Sequence, residues 1–103
     1  MQSSKFTHHV LFFLKDPEST ADRDALMAGM KKLAAISAIR QFQIGLPVPS
    51  ERSVVDSSWS VSMLTFFDGA ADEETYQNHP VHLEFIEKCK HLWQKVVVFD
   101  ALG

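Results

Sequence analysis

What most restricts the fold of this chain is that three of its strand-like segments carry apolar residues on both faces. Phe6 to Leu14, FTHHVLFFL, alternates Thr7, His9, Leu11 and Phe13 with Phe6, His8, Val10, Phe12 and Leu14. Both sets are largely apolar, as in a central strand covered on each side. Trp59 to Phe67 puts Trp59, Val61, Met63, Thr65 and Phe67 on one face. Ser58, Ser60, Ser62, Leu64 and Phe66, half polar and half apolar, lie on the other. Lys95 to Asp100 is again apolar on both sides.

The segments between them supply too little cover. Ser19 or Thr20 caps a helix whose positive end is favoured by Asp22 and Asp24. Leu26, Met30, Leu33, Ala34 and Ser37 share one of its faces. A further strand, Ile39 to Ile44, puts Arg40, Phe42 and Ile44 on one side and Ile39, Gln41 and Gln43 on the other, and Gly45 ends it. LPVPSERSVVDSS is a Pro- and Ser-punctuated loop. After the Asp68-Gly69 turn, Ala70 to Asn78 reads as a short acidic helix, and Pro80 starts or kinks a longer one. The order β-α-β-β-α-β is an α+β, ferredoxin-like split βαβ with a four-stranded antiparallel sheet, one domain over residues 1–103. Two helices cover one face of such a sheet. A second copy is the economical cover for the other, giving a homodimer with an α/β barrel between the subunits. The expected interface includes the Trp59, Val61, Met63 series, with His9 and Ser60 on the helix-facing side.

Composition agrees with a shared core. Of the 103 residues, 46% are hydrophobic, and Phe occurs eight times. A net charge of −3 without basic clusters argues against nucleic acid or an anionic membrane as partner. No apolar run is long enough to cross a bilayer, and the start MQSSKFTHH lacks a signal peptide's order of regions, so a cytoplasmic protein is expected. Cys89 is the one cysteine, read as a small buried hydrophobe and unable to form an internal disulfide.

Chemistry concentrates in YQNHPVHLEFIEKCKHLWQKVVVFD, Tyr76 to Asp100. Helical phase from Pro80 puts His82, Phe85, Ile86, Cys89 and Trp93 on one stripe, with Glu84, Glu87, Lys88 and His91 opposite. An imidazole buried among aromatics needs a hydrogen-bond partner or a ligand. His82 is therefore either a core histidine held by a neighbour or a general base at a pocket floor. Tyr76 either packs its ring with the hydroxyl in water, or stands at a pocket rim and donates that hydroxyl to a developing oxyanion. His9 and Ser60, on neighbouring strands, are expected to line a polar patch beneath His82, as ligand contacts or as a structural network. Met30 and Leu33 would frame the apolar end, although Met27 and Met30 also suit gap-filling core. His79 and His82 are spaced to share a metal with Tyr76 or Glu74, but a second ligand pair is lacking and no metal site is expected. Beside Pro80, His79 suits an N-cap. No Gly-rich phosphate loop, nucleophile elbow or CxxC occurs, and no cofactor is expected.

Over nearly its whole length the chain resembles the stress-responsive dimeric α/β-barrel (Dabb) family. The resemblance rests on HHVLFFLK, on RSVVDSSWSVSMLTFFD and above all on YQNHPVHLEFIEKCKHLWQKVVVFD. It implies a ferredoxin-like monomer that dimerises sheet to sheet. A plant polyketide cyclase of the family closes an aromatic ring by aldol condensation without a cofactor. Its catalytic tyrosine and histidine correspond to Tyr76 and His82, and another pocket histidine to His9. A further strand histidine of that pocket aligns with Ser60, a departure from the pattern. The leading expectation is a small hydrophobic or aromatic ligand held between sheet and helices, with cofactor-free acid–base chemistry. The alternatives are a stress-associated structural oligomer without turnover and a cofactor-free monooxygenase-like barrel. An open cavity touching His82 and Tyr76 favours binding, and a filled one favours structure.

Overall fold

The computed structural model describes residues 5–103. Its elements run β1 (Phe6–Leu14), α1 (Thr20–Lys31), β2 (Gln41–Gly45), β3 (Val61–Phe67), α2 (Ala70–Asn78), α3 (Pro80–Cys89) and β4 (Trp93–Leu102). Short 3-10 turns at Lys32–Ala35 and Lys90–Leu92 follow α1 and α3. All strand pairs are antiparallel, in the order β2-β3-β1-β4, so β1 is central and β2 and β4 are edges. This is the ferredoxin-like arrangement.

Helices α1 and α3 begin where local chemistry predicts. Ser19 Oγ accepts the Asp22 amide at 3.0 Å, satisfying one orphan donor at the start of α1. Pro80 occupies the first turn of α3, where its missing N–H is no loss. His79 caps that helix, its Nδ1 accepting the Val81 amide at 3.1 Å. Two ends differ from the periodicity. The 3-10 turn after α1 rotates the chain, so Ile36 is buried while Ala34 and Ser37 are exposed. Likewise α3 stops at Cys89, Leu92 takes the buried place, and Trp93 opens β4 instead of closing the helix.

The helices cover the sheet face bearing His8, Val10, Phe12 and Leu14 of β1 and Val61, Met63, Thr65 and Phe67 of β3, all buried. Aromatic contacts between Phe12 and Phe85 and between Phe67 and Tyr76 fix this side. The expected facing of the third strand is therefore reversed. Val61 and Met63 belong to the core beneath the helices, and Ser62, Leu64 and Phe66 look outward. The same parity turns His9, Leu11 and Phe13 outward. Both faces of these strands are apolar, so alternation defines the two sets without saying which one the helices take. The principal extents of 45 × 34 × 17 Å fit one helix layer, about 10 Å thick, on one sheet. The uncovered face holds Leu11, Phe13, Leu64, Phe66 and Phe99 around a polar pair, His9 Nε2 and Ser62 Oγ at 2.8 Å.

Candidate functional site: a histidine–tyrosine cavity beneath the α2–α3 junction

The break between α2 and α3 builds the site. At His79 the backbone is extended (φ −69°, ψ 137°), so the chain turns sharply between Asn78 and Pro80. That turn folds the end of α2 over the first turn of α3, bringing the Tyr76 and His82 ring centroids to 4.5 Å. The Gln77 carbonyl meets His82 Nδ1 at 3.1 Å. A carbonyl only accepts, so Nδ1 of His82 carries the proton, and the neutral ring keeps its lone pair on Nε2. Burial lowers the His82 pKa and the neighbouring His8 adds to this, while the Gln77 hydrogen bond and Glu73 partly oppose it. His82 is thus neutral at pH 7.

Tyr76 is 0% exposed, and its hydroxyl has no hydrogen-bond partner among the described residues. Its ring is enclosed by Phe67 at 5.3 Å and His8 at 5.9 Å. Burial, reinforced by the Glu73 carboxylate, pushes its pKa above the ordinary phenol value, so it stays protonated and can donate. This overturns the expected position at a pocket rim: the tyrosine is interior.

A second imidazole completes the polar end, and it is His8 rather than His9. His8 Nδ1 donates to Asp100 Oδ1 at 2.6 Å and lies 3.8 Å from Glu73 Oε2. The Gln77 side-chain amide donates to Glu73 Oε2 at 2.7 Å and stands 3.5 Å from His8 Nε2. Asp100, directly opposite His8 in the β1–β4 register, is a strand-end carboxylate tied into this network.

These residues border a cavity of about 150 Å³, with His8, Tyr76, Gln77 and His82 at its polar end. Phe85, Ile86, Trp93, Val96 and Val98 form apolar walls toward the β4 edge. A larger cleft of about 550 Å³ lies between α1 and α3, lined by Ala25, Ala28, Gly29, Phe85 and Cys89 among others. Its Glu84 and Lys88 are engaged with each other in an exposed ion pair at 2.7 Å, and burial raises the Cys89 pKa, which leaves the thiol unreactive. The smaller cavity is therefore the candidate site.

Of the residues singled out from sequence, His82 and Tyr76 are brought together. His9 lies on the opposite sheet face, bonded to Ser62, with its pKa lowered by burial and by His8. Ser60 precedes β3 and accepts the Leu14 amide at 3.1 Å, beside a separate cleft. Met30 and Leu33, both 0% exposed, fill the core and do not border the cavity. His79 spends its Nδ1 on the helix cap. Among the described residues no group of three or more His, Cys, Asp or Glu is placed to hold a metal ion. No helix there is long and apolar enough to cross a membrane. His8, Gln77 and Asp100 were missed as site residues. The signal was the shared parity of His8 with Val10, Phe12 and Leu14.

Fold and motif together match one family model, described as the stress responsive A/B barrel domain, over residues 6–102. The chain belongs to the Dabb family. Among curated proteins nothing matches this Dabb chain. Solved structures of the same fold include the hydroxynitrile lyase of Passiflora edulis, 19% identical with a TM-score of 0.82, the match covering 98% of this chain and 94% of that one. A Dabb family protein with a ferredoxin-like fold from Mesorhizobium loti is 20% identical, with a TM-score of 0.79 and 97% of each chain covered. A dimeric protein of unknown function with a ferredoxin-like fold from Bacteroides fragilis is 23% identical, with a TM-score of 0.75 and 96% of each chain covered. At these identities the likeness is one of fold.

Proposed function

We propose that this Dabb chain forms a homodimer through its open sheet face, and that each subunit binds a small, largely apolar molecule in the cavity beneath α2 and α3. In this reading His82 is the acid–base group and Tyr76 the hydrogen-bond donor. One observation carries the proposal: a fully buried tyrosine hydroxyl without a partner stands beside an imidazole in a cavity. An unpaired buried hydroxyl is costly, and a ligand oxygen at that point relieves the cost.

The chemistry follows from the protonation states. Neutral His82 takes a proton from an acidic C–H or O–H of the ligand at Nε2, its Nδ1–H anchored on the Gln77 carbonyl. Protonated Tyr76 donates to the oxygen on which negative charge grows. His8, oriented by Asp100, is a second imidazole within the same cavity. No cofactor enters this scheme. That a protein of this fold is a hydroxynitrile lyase is compatible with a catalytic use of the fold.

The dimer is supported by the half-buried Leu11, Phe13, Leu64, Phe66 set on the sheet face that no helix covers, and by the dimeric Bacteroides fragilis protein of like fold. The charge of −3 suits neither nucleic acid nor an anionic membrane, and residence in the cytoplasm accords with that. A structural role has one observation in its favour, since both imidazoles already have internal partners. Screening single-ring aromatic fragments by NMR separates the two readings. Binding predicts saturable shifts at Tyr76, Gln77, His82 and Trp93. A screen without shifts there supports the structural role.

A further inference from the structure

We infer that the molecule held in this cavity is uncharged and presents a hydroxyl group to His82 and Tyr76. This rests on the reading of the cavity as a ligand site and deepens it to a chemical class.

The argument is hydrogen-bond bookkeeping. With Nδ1–H given to the Gln77 carbonyl, neutral His82 has only an acceptor left, at Nε2. Tyr76 has an O–H to donate and nothing among the described residues to receive it. The two rings pack on each other with centroids 4.5 Å apart, so a ligand oxygen at their edge that meets both groups must donate once and accept once. A hydroxyl does both. A carbonyl or ether oxygen accepts from Tyr76 but leaves Nε2 unpaired, and a carboxylate presents the imidazole with a second acceptor.

Charge points the same way. None of the residues bordering the cavity is a lysine or arginine. Behind His8 stand two carboxylates, Asp100 at 2.6 Å and Glu73 at 3.8 Å. An anion entering here meets negative charge without a compensating cation. The remaining space is apolar, walled by Phe85, Trp93, Val96 and Val98. A volume of about 150 Å³ matches a benzene ring. The class is thus a compact aromatic or branched aliphatic alcohol, its apolar body directed toward the β4 edge.

The test compares benzyl alcohol, benzaldehyde and benzoate, which share a ring and differ in the polar group. Binding is followed by NMR at the Trp93 indole and the His82 imidazole, at pH 8 and again at acid pH. At pH 8 benzyl alcohol is expected to bind about tenfold more tightly than benzaldehyde, the worth of one net hydrogen bond, and benzoate most weakly. As pH falls and His82 becomes protonated, Nε2 turns into a donor and the advantage of the alcohol over the aldehyde should disappear. Equal or tighter binding of benzaldehyde at pH 8, or a preference for benzoate, overturns the hydroxyl assignment while the cavity stays a ligand site. If none of the three binds, the ligand-site reading itself fails and takes this inference with it.

Discussion

Replacing Tyr76 by Phe should make this protein more stable, the reverse of the usual outcome at a buried tyrosine. The ring is 0% exposed and packs on Phe67 and His82 at 5.3 and 4.5 Å between centroids, contacts that phenylalanine keeps. Only the hydroxyl is lost, and it has no partner among the described residues. A buried polar group left unsatisfied costs about 1–3 kcal/mol. The dispersion contacts of one oxygen atom offset a few tenths of this. The net expectation is a gain of about 1 kcal/mol, equivalent to a rise of about 4–8 °C in Tm for a domain of this size. Urea unfolding at matched protein concentration measures it, since subunit association would otherwise shift the midpoint. The slope should not change, because the same surface is exposed on unfolding. A loss of 1 kcal/mol or more, the ordinary cost of deleting a satisfied hydroxyl, would refute the claim that this oxygen is orphaned. In that case the vacancy assigned to a ligand is already filled from within.

Four further outcomes follow from the same structure. Met63→Asp, at a position 2% exposed beneath the helices, should abolish folding by circular dichroism, because an uncompensated buried charge costs several kcal/mol. Leu64→Asp, one residue on but on the open face, should keep native secondary structure and sediment as a monomer; a Leu64→Asp dimer contradicts the interface. Gly29→Ala puts a Cβ 2.6 Å from Cys89 Sγ, so a loss of about 1–3 kcal/mol is expected from overpacking. Adding Cys89→Ala should recover most of that, and no recovery would mean the strain lies elsewhere. The folded-state pKa values of both His9 and His82 are lowered, so the unfolded chain binds protons more readily. Stability should be full above the free-imidazole value of about 6.5 and decline as pH falls from there toward the lowered folded values. Urea midpoints between pH 8 and 5 report it, with a shallower decline in His82→Gln.

Element order, the capped start of α1 and the phase of α3 were legible in the sequence because each rests on local chemistry. Ser19 and Pro80 act within a turn of themselves, and His82, Phe85 and Cys89 recur at a spacing that only one helix face satisfies. What stayed hidden was which side of each strand the helices would take. With FTHHVLFFL apolar at both parities, His8 and His9 are equivalent until Phe12 meets Phe85 across the layer. The same ambiguity reversed the Met63 and Leu64 faces. Ser62 and His9 were a faint indication, two polar residues that hydrogen-bond to each other on the uncovered side. Asp100 could not be assigned to the site at all, since its approach to His8 depends on strand register between the two ends of the chain. Tyr76 looked exposed because α2 is acidic and short, yet the break at His79 folds its last turn inward.

The account turns on His82 being a neutral imidazole with Nδ1 protonated and Nε2 facing the cavity. Nitrogen-15 NMR of the histidine rings across a pH titration measures this directly. The expected result is the Nδ1–H tautomer at pH 7 and a titration midpoint below the free-imidazole value of about 6.5. An Nε2–H tautomer, or a midpoint above that value, would leave the cavity without its base and contradict the proposed chemistry.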